Sequence, residues 1–299
     1  MSDVLNKSTM FPEELIPELI QKTRGASALA HLCDSEPIPF NGQKEFTFAM
    51  DKEIDVVAES GAFSKGGVTL KPVTIIPVKV EYGARVSDEF IEASEKEKVD
   101  ILKAFSNGFA AKVAKGLDIM AMHGFNPRTG TASDVIGNNH FDKAVTQKIT
   151  AANLQTPDEN IEAAIELVQG AENEVNGVIL STAMKSALAK LKDGNQHKVY
   201  PELAWGNNPG VLNGVKTETS MPLSMGASKD RAIVGDFKNA FKWGYSKNIA
   251  MKVIQYGNPD NDPTLGDLQG HGQVYLRAIA YIGWGILLPE AFALVEESA

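Results

Sequence analysis

The sequence holds a single cysteine, Cys33, among 299 residues. One cysteine excludes an internal disulfide and fits a reducing compartment. The chain has no run of five or more lysines and arginines. Its formal charge is −9, with 38 acidic residues spread along its length, so a polyanion-binding tail is not expected. No window approaches 18 apolar residues, and the start, MSDVLNKSTM, lacks a basic-then-apolar pattern. Membrane spanning and export are therefore not expected, and the reading is of a soluble protein made inside the cell.

Catalytic and ligand-binding signatures are also scarce. Five histidines, at 31, 123, 140, 197 and 271, are scattered, without an H-E-x-x-H motif. Only His31 and Cys33 are near neighbours, and two ligands do not make a zinc site. Gly177-Val-Ile-Leu-Ser181 has the wrong spacing for a nucleophile elbow. Asp260-Asn-Asp-Pro-Thr-Leu-Gly-Asp267 starts like a calcium loop, but its glycine is displaced by one and position twelve is His271. Gly61 and Gly66 begin a phosphate-loop pattern in AESGAFSKGG, yet the lysine position is Gly67, the next is Val68, and Lys65 comes two places early. No catalytic, cofactor-binding or metal residues are predicted.

What the chain does carry is organisation. With 43% hydrophobic residues it can support one large or two ordinary domains. Residues 1–43 read as an arm: a short helix from Pro12 with Leu15, Ile16, Leu19 and Ile20 on one side, then a turn-rich connector through Pro37, Pro39 and Asn41-Gly42. Lys44-Glu-Phe-Thr-Phe48 alternates as a strand. Residues 54–58 and 68–76 read as the arms of a long hairpin over about 50–73. Asp51, Lys52, Glu53, Asp55, Glu59, Lys65 and Lys71 interrupt its apolar content, so it cannot stabilise itself in water and needs a surface to lie on.

A capping box, Ser94-Glu-Lys-Glu97, opens the strongest helix signal. Leu102, Phe105, Phe109, Val113, Leu117 and Met120 form one apolar stripe, and Gly124 is the expected stop. The predicted helix, about 95–122, spans roughly 40 Å at ~1.5 Å per residue. Ala110, Ala111, Ala114 and Gly116 keep part of it narrow. A second box, Thr156-Pro-Asp-Glu159, opens a helix burying Ile161, Ile165, Val168 and Val175. A buried strand at 177–182, a helix at 183–192, and strands at 215–219, 231–234, 249–256 and 274–282 follow, with a short run at 286–288 before Pro289. The alternation predicts an α/β-type layer over about 130–250.

This order resembles the major capsid protein family of tailed bacteriophages, the Hong Kong 97-type fold. Phe11-Pro-Glu-Glu-Leu15 with Ala26-Ser-Ala-Leu-Ala30 resembles the N-terminal arm. Glu59–Ser64 with Val73–Ser94 resembles the extended loop and the entry to the spine helix, and Leu117-Asp118 to Gly124 its end. Leu212-Asn-Gly-Val215, Thr219-Ser-Met-Pro222, Gly235-Asp-Phe237 and Leu276-Arg277 to Pro289-Glu-Ala-Phe292 resemble the C-terminal half. The resemblance implies an α+β chain with an arm at 1–43 and an extended loop with flanking strands at 44–80. A peripheral domain with its spine helix would span 81–130, an axial α/β domain 131–255, and return strands of the peripheral domain 256–299.

It further implies a structural, non-enzymatic shell subunit that assembles with copies of itself into pentamers and hexamers around double-stranded DNA, without cofactors or membrane. The protein would be made in the host cytoplasm and end in the virion. Glu59, Gly61, Phe63, Lys65, Gly66 and Gly67 are the expected inter-subunit contacts, the glycines bending the loop tip. A lysine–asparagine crosslink is not expected: Lys65 is suitably placed, but Asn258 and Asn261 have no aligned role. The short approach to the arm implies a separate scaffolding protein or none, beside portal and decoration proteins. Two other readings are an encapsulin-type nanocompartment shell and a cytosolic α/β enzyme.

Overall fold

The computed structural model describes residues 27–50, 52–89, 95–151, 154, 156–225, 229–246 and 250–298. The helix expected from Pro12, the Phe11–Leu15 stretch and the Ser94 capping residue lie outside them. Ser27 caps a five-residue helix, α1 (Ala28–Leu32), its hydroxyl accepting from the Ala30 amide at 3.2 Å. β1 (Gln43–Met50) and β2 (Val68–Ile75) pair antiparallel as a two-stranded ladder. β3 (Val78–Ser87) then leads to the long helix, α2 (Glu95–His123), whose 29 residues extend about 43 Å at ~1.5 Å per residue.

The predicted stripe on α2 is the buried one. Leu102, Phe109, Val113, Leu117 and Met120 are all buried, with Ala110 and Ala114 beside them; Ala111 faces solvent. Gly124 ends the helix in the left-handed region, at φ +69°, its amide donating to the Met120 carbonyl. Asp118 lies inside this buried surface and ties the arm to the helix. Its carboxylate accepts from the Ser27 hydroxyl, the Ala28 and Leu29 amides and the Ser220 hydroxyl. Burial pushes the Asp118 carboxyl up to about 6 against the pull of these donors.

A short helix, α3 (Phe141–Ala144), and a strand, β4 (Lys148–Ala151), precede α4 (Pro157–Gly170). Pro157 begins α4 as the sequence predicts, but the Thr156 hydroxyl makes no cap; the Thr156 carbonyl instead receives the Asn160 amide and side chain. β5 (Gly177–Leu180) and α5 (Thr182–Lys190) follow, then β6 (Val211–Leu212), β7 (Val215–Thr219), β8 (Asp230–Gly235) and α6 (Phe237–Ala240). The chain closes with β9 (Phe241–Tyr245), β10 (Ala250–Ile254), β11 (Gln273–Ile286) and β12 (Phe292–Glu297).

Two larger sheets hold these strands. In one, the 14-residue β11 pairs with β3 along one edge and with β10 and then β9 along the other, all antiparallel. The other has the order β4-β12-β8-β5-β7-β6, with β12–β4 and β5–β7 parallel. The three central strands of this sheet, β12, β8 and β5, are largely buried on both faces, while β4, β7 and β6 are partly exposed. Ile179, Ile233 and Leu294 join the main core around α2, where Phe141, Phe237 and Phe292 pack ring against ring. Their neighbours Val178, Leu180, Ala232, Val234, Ala293 and Val295 face Ala164 and Val168 of α4 and Met184 and Leu188 of α5. Alternating residues of single strands therefore serve two cores, which is why these strands read as continuous apolar runs.

Several expectations change. β11 is one strand, not two runs at 274–282 and 286–288. Residues 54–58 are not a hairpin arm; the first arm is β1, which starts at Gln43 rather than near 54. The last strand, β12, lies between β4 and β8 rather than with the return strands expected over 256–299, and β9 and β10, within the segment expected to be axial, pair with β11. Residues 35–38 run beside β9, Glu36 and Ile38 donating to the Trp243 and Tyr245 carbonyls. Only glycine fits opposite them, since a methyl group at Gly244 would meet the Glu36 oxygen at 1.6 Å.

Candidate assembly interface

The hairpin has an unusual polarity. Its register places Phe46 opposite Pro72, Phe48 opposite Leu70 and Met50 opposite Val68, so these six apolar side chains share one face. All six are exposed, Phe46 and Phe48 by 60% and 59%. The alternate face carries Gln43, Glu45, Thr47, Thr69, Lys71, Val73 and Ile75; its root, at Glu45, Val73 and Ile75, meets the rest of the subunit, while Thr69 and Lys71 are exposed. Glu45 pairs with Lys242 at 2.9 Å, and Lys242 also meets Glu36 at 2.5 Å. Both carboxylates raise the Lys242 ammonium above its usual range.

At the hairpin's root, Ile75 is fully buried against β11. A methyl group at Gly285 would lie 2.7 Å from Ile75 Cγ1, so the glycines that interrupt the β11 pattern make room for the hairpin's foot. The arm is thus anchored at its base through a mixed inner face, Glu45 on Lys242 and Ile75 on β11, while its apolar face points away. In an ordinary antiparallel sheet the apolar face covers the core; here, among the described residues, it covers nothing in the same subunit.

The tip, 52–67, has no strand structure. Its charges, Lys52, Glu53, Asp55, Glu59 and Lys65, are exposed, and Lys52 Nζ donates to the Lys65 carbonyl at 3.1 Å. Phe63 is 94% exposed, and Ile54 and Val56 stand out similarly. The expectation that glycines bend the tip is corrected at Gly61. The Ala58–Gly61 turn, closed by the Gly61 amide on the Ala58 carbonyl at 2.8 Å, places Ser60 in the left-handed region at φ 67°, while Gly61 keeps ordinary backbone angles. Gly66 and Gly67 lie immediately before β2. All six predicted contact residues therefore sit on one projecting segment. The sequence reading missed the larger apolar face behind them because it placed the first arm at 54–58; alternation at Phe46, Phe48 and Met50 was its available signal.

The other candidate sites resolve differently. The calcium-like loop at 260–267 is already filled by a cation, the Arg85 guanidinium. It donates to Asp260 at 2.8 and 2.5 Å, to the Asn258 side chain and to the Gly266 carbonyl. Arg85 holds the Asp260 carboxyl down at about 2. Asp262 turns inward on the Thr264 and Leu265 amides. His31 and Cys33 diverge: His31 meets Glu218 at 2.6 Å, and the buried Cys33 thiol donates to the Phe241 carbonyl. Among the described residues, no helix is long and apolar enough to cross a membrane.

The described residues give a long helix beside two larger sheets, with a hairpin whose apolar face they leave bare. A model of the Phage capsid family matches residues 8–296. A solved chain from Mycobacterium phage Ogopogo is 31% identical, covering 91% of this chain and 92% of that one with TM-score 0.77. A chain from Gordonia phage Cozz is 21% identical, covering 91% and 87% with TM-score 0.70. The capsid of an empty GTA particle, computed with C5 symmetry, shares the fold at 14% identity and TM-score 0.65, covering 92% and 90%. No curated protein matches the chain. The chain belongs to the Phage capsid family: it is a major capsid protein of the Hong Kong 97-type fold, a structural subunit of the icosahedral shell of the virion.

Proposed function

We propose that the hairpin of β1 and β2 completes its fold on a neighbouring copy. Phe46, Phe48, Met50, Val68, Leu70 and Pro72 settle on that neighbour, while Glu59, Gly61, Phe63, Lys65, Gly66 and Gly67 make the outlying contacts. The observation that carries this reading is the contiguous six-residue apolar face turned away from its own subunit. The contact is heterologous: one surface meets a different surface on the next copy, and rotation closes a ring. The capsid neighbour computed with C5 symmetry supports that arrangement. Individual contacts can be modest because each copy makes several at once.

The six-stranded sheet with α4 and α5 forms the axial part in this reading. Trp205, fully exposed in its turn between α5 and β6 at a left-handed φ of 60°, is offered toward the capsomer centre. The shell encloses double-stranded DNA without gripping it, which suits a charge of −9. Synthesis in the host cytoplasm, a purely structural role without catalysis, and encounters with portal, scaffolding and decoration proteins complete the proposal.

Electron microscopy of the expressed chain tests it, alongside a variant whose residues 54–65 are replaced by a short Gly-Ser linker. Rings or shells from the parent chain and their loss in the variant support the reading. Equal assembly by both refutes a role for the tip.

A further inference from the structure

Three separate segments converge on one point, buried at His123 and Asp230 and partly open at Asp142, which is 29% exposed. His123 closes α2, Asp142 lies in the first turn of α3, and Asp230 opens β8. His123 Nδ1 stands 2.8 Å from Asp142 Oδ2 and 3.6 Å from Asp230 Oδ2, and all three donor atoms fall within 4.8 Å of one another. The His123 side chain has no exposed surface and Asp230 retains 4%.

We propose that His123, Asp142 and Asp230 form a binding site for one divalent transition-metal ion of the zinc class. The opposite ring nitrogen fixes the tautomer: Nε2 lies 3.0 Å from the Pro222 carbonyl and donates to it. Nδ1 faces two carboxylates and donates to Asp142 when no ion is present; a metal would take the place of that proton, and a carbonyl-oriented imidazole is the usual arrangement of a metal-ligating histidine. Donors bound at about 2.0–2.2 Å with tetrahedral angles lie about 3.4 Å apart, and the two measured separations bracket that spacing. A neutral imidazole with two carboxylates carries a charge of about −2, which one divalent ion balances; a protonated imidazole balances only half of it.

A second observation points the same way. Asp142 Oδ1 is buried without a hydrogen-bond partner, so this carboxylate has an oxygen left for a second bond to the ion. Phe125, its ring centroid 5.5 Å from that of His123, screens one side from water. The mixed nitrogen and oxygen donor set suits zinc, cobalt or manganese better than calcium. Bound there, the ion would pin the end of the long helix to the six-stranded sheet through β8 and to the α3 segment, independently of what the hairpin does.

The test uses the full chain. It is dialysed against EDTA, freed of chelator, then titrated with ZnCl2 or CaCl2, and read by elemental analysis and thermal unfolding. The expected result is one zinc per chain after desalting. Tm should rise by about 5 °C or more once zinc stands a hundredfold above its Kd, with no response to calcium. Asp142→Asn should retain at least tenfold less zinc and lose the Tm response, while His197→Gln, at an exposed histidine, should behave as the parent. Less than a tenth of a zinc per chain, or an unchanged Tm in the parent protein, overturns the proposal without recourse to any variant. Full zinc binding by a folded Asp142→Asn protein overturns it as well, since the ion would then sit elsewhere.

Discussion

Phe48→Thr is the sharpest probe of the hairpin. Threonine keeps the strand preference, so the change removes apolar surface and little else. A phenylalanine offers about 150–250 Å² for burial. With 59% of Phe48 exposed in the isolated subunit, roughly 90–150 Å² remains for a neighbour to cover. At about 25 cal/mol per Å² that contact contributes roughly 2–4 kcal/mol. Within the subunit the part already covered, roughly 60–100 Å², contributes about 1.5–2.5 kcal/mol by the same measure, some of which threonine keeps. Subunit stability should therefore fall by no more than about 2.5 kcal/mol, while the concentration needed for assembly rises about thirtyfold or more, since each 1.4 kcal/mol is about tenfold. Sedimentation velocity across a dilution series measures that threshold, and chemical denaturation of the unassembled chain measures the fold. Assembly at the parent concentration by a normally folded Phe48→Thr protein would refute the reasoning. A collapse of subunit stability would do so too, because it would place Phe48 in its own core.

Other outcomes follow from the same structure. Gly244→Ala forces a methyl group onto the Glu36 carbonyl; it should free residues 35–38 from β9, seen as accelerated amide exchange at Glu36 and Ile38. Asp118→Ala leaves the α1 amides without their acceptor and should cost about 2–4 kcal/mol in denaturant unfolding. Because the Asp118 carboxyl is raised from 3.8 to about 6, its protonated form favours the fold. The parent protein should lose up to about 3 kcal/mol of stability as pH rises from about 4 to 6, a slope that Asp118→Asn should flatten. Arg85→Gln empties the cation position in the 257–267 loop, and limited proteolysis should then nick that loop, which stays intact in the parent.

How much of this was legible depended on the range of the forces involved. The long helix and its stop were readable because a stripe from Leu102 to Met120 and a glycine at 124 are local signals. Strands β5, β7 and β8 were readable, β5 and β8 as apolar runs. β9 was not, since Gly244 breaks its pattern for the sake of the Glu36 backbone, a partner about 200 residues away. β11 seemed to end at Ile282 because Gly283 and Gly285 look like breakers until Ile75 is seen to need the space. β4 is only four residues long and gains its meaning by pairing with β12.

The contact segment was legible in outline but inverted in emphasis. Counting charges across 51–71 made the hairpin look thinly apolar, whereas the structure puts Lys52, Glu53, Asp55, Glu59 and Lys65 in the tip and Lys71 on the alternate face, leaving an unbroken apolar outer face. The cluster of His123, Asp142 and Asp230 had no local signal at all: its members come from two helices and a strand that only the folded core brings together.

The central claim is that the subunit leaves its hairpin unfinished for a neighbour to complete. Electron cryomicroscopy of the assembled shell tests it most directly. The account predicts density in which Phe46, Phe48 and Leu70 lie against a different subunit from the one that carries Ile75 and Lys242. A map showing those side chains bare to solvent, or folded back on their own β11, would contradict it.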